Sequence, residues 1–143
     1  MKLTHILPRL VSGLLFVAPP ARAADPALRI AILGDSTVCE YPADQPIRGW
    51  GSYLAEEFPP GTVQVLNFAR SGRSTKTFLQ EGLWEKAKAA KPDVVLIQFG
   101  HNDSHAKGNP ESTDATTDYS DYLRRYVNES HALGATLILV TPM

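Results

Sequence analysis

Residues 29–37 read RIAILGDST, an apolar run that stops at a glycine and continues directly into polar residues. Two further strand-like runs, 63–68 and 94–99, lead into the polar motifs at 71–74 and 100–103. In open α/β sheets, ligands and chemistry gather outside the carboxyl ends of the strands. The three motifs are therefore candidates for a single site, although they lie far apart in sequence.

The chain alternates between strand-like and helix-like segments, with no internal repeat. Apolar runs predict four strands, at 28–33, 63–68, 94–99 and 135–140. Helices are predicted between them at 51–58, at 75–79, at 83–90, and over a longer segment from Tyr119 that ends at Gly134. In the last of these, apolar residues recur every three or four positions, which is typical of a helix with one buried face.

The predicted strands also indicate how the sheet is arranged. Strands one, three and four are nearly continuous apolar runs, as expected of parallel strands that helices cover on both faces. Because crossover connections between parallel strands are right-handed, we predict a flavodoxin-like three-layer α/β/α fold with a parallel sheet in strand order 2-1-3-4. Strand one then lies between strands two and three, so the motifs that follow these strands should meet at one edge of the sheet.

The first 23 residues have the pattern of a secretory signal peptide. Basic residues near the start precede a short apolar stretch at 10–18, and small residues surround a cleavage point at Ala23. That stretch is shorter than the roughly 20 residues of a membrane span. We therefore expect cleavage near Ala23, secretion or export to the periplasm, and a single domain over 24–143.

Composition narrows the range of partners. The chain has 14 basic and 15 acidic side chains, and the segment after residue 23 is mildly acidic. Lys and Arg form no cluster, so we expect neither nucleic acid nor an anionic membrane as a partner. Cys39 is the only cysteine, which excludes an intrachain disulfide. The oligomeric state cannot be predicted from these features.

The three motifs contain groups suited to nucleophilic catalysis. Ser36 follows a strand through a tight Gly-Asp turn, a position that presents a hydroxyl at the edge of the sheet. Gly72 offers a backbone N–H without a side chain in the way, and Asn102 offers a side-chain amide. Together with the amide of Ser36, they would supply three donors to one oxygen, the arrangement that stabilises a tetrahedral oxyanion.

The motifs at 34–36, 67–72 and 100–103 resemble the first three sequence blocks of the GDSL or SGNH hydrolases, in the same order. Thr37 and the third block are most similar to the rhamnogalacturonan acetylesterase branch. The resemblance implies that Ser36 is the nucleophile, and that its amide, Gly72 and Asn102 form the oxyanion hole. It also implies hydrolysis of acetyl or other short esters on a polysaccharide such as rhamnogalacturonan, with no metal or cofactor.

Three further residues are candidate substrate contacts, each with a structural alternative. Trp50 could line a sugar-binding cleft or simply cover the sheet. Arg73 could contact substrate or be a solvated loop charge. His101 could contact substrate or shape its loop, and either role is favoured over proton transfer. Paired with His105 at four-residue spacing, it also suggests metal ligands, but no third ligand is evident, and no metal site is predicted.

Members of the family take their acid and base from a fourth block, Asp-x-x-His, after a fifth strand. No Asp-x-x-His occurs in the 143 residues. On this resemblance we expect a C-terminally incomplete domain that lacks the fifth strand, leaves strand four as an exposed apolar edge, and is inactive as a fragment.

Two alternative functions remain open. The loop from Ser71 to Thr77 opens a helix and is rich in hydroxyls and amides, as in flavodoxin-like domains that bind phosphate or FMN. That alternative accounts for neither Ser36 nor Asn102. The second alternative is a non-catalytic relative that binds carbohydrate without hydrolysing an ester.

Overall fold

The computed structural model describes residues 27–142, and the predicted signal peptide lies outside the described residues. Four strands form one sheet: β1 (Leu28–Gly34), β2 (Val63–Asn67), β3 (Val94–Gln98) and β4 (Thr136–Leu139). All pairs are parallel and the order is β2-β1-β3-β4, which confirms the predicted topology. The strands begin and end within one or two residues of the predicted bounds.

The register of the sheet brings the ends of three strands together. Ile32 of β1 pairs with Asn67, the last residue of β2, and Gly34 pairs with Gln98, the last residue of β3. The loops that follow β2 and β3 therefore leave the sheet on either side of the loop that carries Ser36. This juxtaposition follows from the strand order together with the register.

One face of the sheet is covered by three helices and is called here the helix-covered face: α1 (Thr75–Gln80), α2 (Leu83–Ala89) and α3 (Asp118–Ala132). Ala31 and Leu33 of β1 point to this face, where Phe78, Trp84 and Tyr126 are fully buried. The Trp84 and Tyr126 rings meet edge to face with centroids 5.4 Å apart. Large aromatic side chains thus make up much of this core.

The helices begin and end where the sequence supplies suitable residues. Ser74 caps α1 in a capping box with Thr77. The predicted long helix is confirmed as α3, and Gly134 two residues beyond it adopts a φ of 77°, a conformation that favours glycine. Leu133 continues the apolar spacing of that helix, but it follows the last helical residue, Ala132, and is 42% exposed.

The opposite face, called here the loop-covered face, has Ile30, Ile32 and Val38 as its buried centre, and its cover comes from the segment 38–58. The helix predicted at 51–58 is wrong. This segment instead forms two 3₁₀ helices, Trp50–Ser52 and Leu54–Glu57.

The physical reason for that difference is a close backbone approach. Gly49 N–H donates to Cys39 O at 3.2 Å, and Trp50 N–H donates to Thr37 O at 3.0 Å. A Cβ on Gly49 would stand 2.3 Å from the carbonyl carbon of Val38, so the chain lies directly against the loop after β1. These long-range contacts determine the path of the segment, and its helical spacing does not.

At one edge of the described sheet, β4 exposes apolar side chains. Ile138 is 46% and Leu139 50% exposed, as expected from the sequence for an uncovered edge. Among residues 27–142, no helix is both long enough and apolar enough to cross a bilayer.

Candidate active site

Backbone hydrogen bonds tie the loop after β2 to the end of β1. Phe68 N–H donates to Ile32 O at 2.8 Å, and Arg70 N–H donates to Gly34 O at 2.9 Å. The Asn67 side-chain amide also donates to Val38 O at 3.1 Å. The second motif therefore starts directly beside the turn that carries Ser36.

A chain of side-chain bonds connects the turn at Ser36 to β3. Buried Asp35 accepts from the Thr37 amide at 2.9 Å and from the Thr37 hydroxyl at 2.8 Å. The Gln98 amide in turn donates to the Thr37 hydroxyl oxygen at 2.8 Å, and Gln98 Oε1 accepts from the Trp50 indole at 2.7 Å. Because Gln98 joins Thr37 and Trp50 to the end of β3, the turn is held by other segments as well as by its own Asp35–Thr37 bonds.

Ser36 is half-buried at the end of this braced turn. Its carbonyl oxygen accepts a hydrogen bond from the Tyr41 hydroxyl at 2.9 Å. Asp35 O accepts from the amides of Val38 and Cys39, at 3.2 and 3.0 Å, which closes the turn tightly after the serine. A serine on a fixed, half-buried turn suits a nucleophile, which must meet an acyl carbon in one geometry.

Gly72 lies at the exposed tip of the second loop, with a φ of 77°. Nothing lies within 4 Å of the place where a Cβ would be, so its surroundings are open. The positive φ accounts for glycine here, because residues with a Cβ rarely adopt it.

Asn102 is 5% exposed and joins the third loop to the second. Its side-chain N–H donates to Arg73 O at 2.9 Å. A primary amide carries two donor hydrogens, so one bond to the protein leaves the second for a ligand. The residue thus fixes the loop that carries Gly72 while keeping a donor of its own.

Asp103, next in sequence, connects the loop that carries Asn102 to α1 and to Thr113. Its buried carboxylate accepts from the amide and hydroxyl of Thr75 and from the hydroxyl of Thr113. Burial raises the pKa of Asp103, and the hydrogen bonds from Thr75 and Thr113 oppose that rise. The first residue of α1 is therefore fastened to the loop that carries Asn102.

The three predicted substrate contacts, Arg73, His101 and Trp50, lie in different surroundings. Their roles in binding substrate remain predictions. Arg73 forms an ion pair with Glu81, with Nε 3.0 Å from Oε2. His101 is exposed, and its ring lies edge to face with that of His105, with centroids 6.0 Å apart. The Trp50 ring packs on the loop-covered face, and its N–H is bonded to Gln98. The last placement favours the interpretation that Trp50 covers the sheet.

Sequence reasoning missed two residues that shape this site. Gln98 is a polar residue at the end of an apolar strand, a signal that could have marked it as a link between loops. Tyr41 lies in a Pro-rich loop without periodicity, and nothing in the sequence indicated its bond to Ser36. The Gln98 bonds join residues that are far apart in sequence, and the Tyr41 bond lies within an irregular loop, so periodic patterns report neither.

The polar groups of the loop at 71–77, considered for phosphate binding, are largely used within the protein. The Ser74 hydroxyl accepts from Thr77 N–H at 3.2 Å, and Thr75 N–H points at the Asp103 carboxylate. A carboxylate thus lies where the amide at the start of α1 would meet a phosphate oxygen, and its charge would repel one. Within 27–142, His, Cys, Asp and Glu form no group of three or more that could hold a metal ion.

Comparison with known proteins gives these residues a context. YesY of Bacillus subtilis (strain 168), a probable rhamnogalacturonan acetylesterase, is 40% identical over 120 residues, 82% of this chain and 54% of that relative. RhgT of the same organism, a rhamnogalacturonan acetylesterase, is 34% identical over 118 residues, 80% of this chain and 48% of that relative. The chain thus spans about half the length of the curated relatives it matches.

Solved structures agree with the fold. The crystal structure of the Bacillus subtilis protein YxiM superposes with a TM-score of 0.70 and 29% sequence identity, over 82% of this chain and 33% of that one. The GDSL-like lipase/acylhydrolase family matches residues 32–143, a range that includes all three motifs. The chain belongs to the GDSL-like lipase/acylhydrolase family.

Proposed function

We propose that the full-length protein is a serine esterase that removes acetyl or other short acyl groups from a polysaccharide, with rhamnogalacturonan as the leading substrate. The convergence of the three motifs carries this proposal: bonds from Arg70 to Gly34, from Gln98 to Thr37 and from Asn102 to Arg73 fasten the three loops to one another. The names of the curated relatives support the substrate class. The sequence of 1–23 supports a secreted or periplasmic location.

In this proposal the Ser36 hydroxyl oxygen attacks the acyl carbon of the ester. The carbonyl oxygen becomes an oxyanion that accepts from the amides of Ser36 and Gly72 and from the Asn102 side chain. The sugar oxygen then leaves with a proton, and water hydrolyses the acyl-serine. Each oxyanion donor typically contributes about 10²–10³ in rate.

A general base is required to take the Ser36 proton, and we assign that role to no histidine of this sequence. His105 is bonded to Glu111 through Nδ1 at 2.6 Å. His131 is exposed in the last turn of α3, and His101 belongs to the third motif. Members of the family take the base from an Asp-x-x-His block, and these 143 residues contain none.

Turnover of an acetylated oligosaccharide by the full-length protein tests the proposal. Ser36→Ala should lower kcat by about 10⁴–10⁶ because the attacking atom is removed. Asn102→Ala should lower kcat by about 10²–10³, with KM little changed, because its donor acts mainly on the transition state. Ser120→Ala, a half-buried serine on α3, is the matched control and should behave as wild type.

Retained turnover in Ser36→Ala would contradict the nucleophile assignment. If wild type binds the acetylated oligosaccharide but releases no acetate, the alternative of a non-catalytic carbohydrate-binding protein is supported instead.

A further inference from the structure

A cavity of about 420 Å³ lies between residues 39–41 of the loop after β1, the loop after β2 and the first turn of α2. Tyr41, whose hydroxyl is bonded to Ser36 O, lines one side, and Ser71, the neighbour of Gly72, lines another. The volume lies within the range of roughly 300–1,000 Å³ typical of small-molecule sites.

The side chains around this cavity carry an excess of positive charge. Arg70, Arg73 and Lys86 line it, and Glu40 is the acidic residue among them. Arg73 is paired with Glu81. Within residues 27–142, Arg70 and Lys86 form no ion pair, and both are exposed. The charge here contrasts with the mildly acidic chain as a whole.

The floor of the cavity is apolar. Leu83 is 5% exposed there, and Phe68 is partly buried against the helix-covered core. An apolar floor with cations at the rim suits a sugar ring that carries a carboxylate, because the ring packs on carbon while the anion meets the cations.

We propose that this cavity binds an acidic sugar of the substrate, with Arg70 and Lys86 as the residues that recognise its carboxylate. The inference rests on the proposed function, which supplies a polysaccharide substrate; rhamnogalacturonan contains galacturonate. The site thereby selects acidic chains over neutral ones.

Two oligosaccharides that differ in whether their carboxyl groups are charged test the proposal. One is an O-acetylated oligosaccharide that contains galacturonate, and the other is the same compound with its carboxyl groups methyl-esterified. In the full-length protein, wild type should show the higher kcat/KM on the free acid. The ratio of interest is kcat/KM on the free acid divided by kcat/KM on the methyl ester. The double variant Arg70→Gln and Lys86→Gln should lower this ratio by roughly three- to tenfold, since exposed ion pairs are individually weak.

Lys91→Gln is the matched control. Lys91 is an exposed cation that precedes β3, at the opposite end of the sheet from the cavity. It should leave the ratio at its wild-type value. Raising the salt concentration should lower the wild-type ratio, because exposed charges are screened. A ratio equally unaffected by the double variant and by salt would overturn the proposal.

A binding measurement separates this inference from the esterase assignment. In the Ser36→Ala protein, calorimetry with unacetylated oligogalacturonate should give a dissociation constant that rises roughly three- to tenfold when Arg70→Gln and Lys86→Gln are added. That rise supports the proposed binding of an acidic sugar in the cavity even if no ester is hydrolysed. Unchanged affinity contradicts the proposed binding of an acidic sugar in the cavity even if Ser36 proves to be the nucleophile.

Discussion

The two faces of the sheet are covered in different ways. On the helix-covered face, three regular helices bury Phe78, Trp84 and Tyr126 completely. On the loop-covered face, two 3₁₀ helices lie against Ile30, Ile32 and Val38, and their own apolar residues are only partly buried. The face with regular cover has periodic sequence, whereas the face with irregular cover depends on close backbone contacts.

This difference bears on function because the irregular cover is continuous with the turn at Ser36. Trp50, at the start of the first 3₁₀ helix, is bonded to Gln98, and Gln98 is bonded to Thr37. The loop-covered face therefore helps to hold the candidate nucleophile, while the helix-covered face provides most of the buried aromatic core. Substitutions on the helix-covered face should therefore mainly lower stability, whereas those on the loop-covered face should also affect the turn at Ser36.

The largest effect on stability is expected from Trp84→Ala on the helix-covered face. Trp84 is fully buried, packs on Tyr126 and donates to Glu129 at 2.7 Å. Its removal leaves a large cavity, so the free energy of unfolding should fall by about 3–5 kcal/mol. Urea denaturation of the full-length protein measures this. A loss below about 1 kcal/mol would show that this face is not the main core.

Gly49→Ala should have the next largest effect, for a reason specific to the loop-covered face. The φ of Gly49 is −80°, which alanine adopts readily, so backbone strain is not involved. The added Cβ would instead stand 2.3–2.6 Å from backbone atoms of Val38 and Cys39. Overpacking of this kind costs about 1–3 kcal/mol, and displacement of the loop should also lower the proposed ester turnover.

Ser52→Ala is the matched control for that change. It alters the same 3₁₀ segment but removes a buried hydroxyl that has no hydrogen-bond partner in the described part of the chain. It should therefore be neutral or slightly stabilising. Equal stability of the Gly49→Ala protein and wild type would show that the backbone contact is not required.

Glu129→Gln should give the smallest effect, and one that depends on pH. The Glu129 carboxylate accepts bonds from Lys88, Arg125 and the Trp84 indole. Burial alone would raise the pKa of this carboxyl, but the three bonds outweigh burial and lower it to about 2. Because the folded pKa lies below the unfolded one, the stabilisation is complete above about pH 5 and disappears as the pH falls towards 2.

At pH 7 the substitution should therefore cost about 1–2 kcal/mol, and near pH 3 much less. Urea denaturation at both pH values measures the difference. Glu85→Gln, which removes the 62% exposed partner of the same Lys88, should cost less than about 0.5 kcal/mol. A loss that is the same at pH 7 and pH 3 would contradict the assigned pKa.

The sequence was sufficient for the sheet and for the helix-covered face because both depend on local patterns. Runs such as 94–99 predict a parallel strand by composition, and α3 is predicted by its spacing. The right-handed crossover then leaves few strand orders. The loop-covered face was not predictable in the same way, because Gly49 lies against residues ten positions earlier and its contact has no periodic signal.

The candidate site shows the same division. Ser36, Gly72 and Asn102 could be selected from motifs at the ends of strands. Their supports could not: the bond from Asn102 to Arg73 O and the bond from Gln98 to Thr37 join residues that are distant in sequence. Local sequence specifies which groups are present, and tertiary structure specifies which of them meet.

The central claim is that three loops direct donors from Ser36, Gly72 and Asn102 at one oxygen. A crystal structure of the full-length protein after reaction with an alkyl phosphonate tests it most directly, because the tetrahedral phosphorus adduct imitates the acyl intermediate. We expect the adduct on Ser36 Oγ, with one phosphonyl oxygen about 2.7–3.1 Å from both backbone nitrogens and from Asn102 Nδ2. An adduct on another residue, or a phosphonyl oxygen turned away from Gly72 and Asn102, would contradict the account.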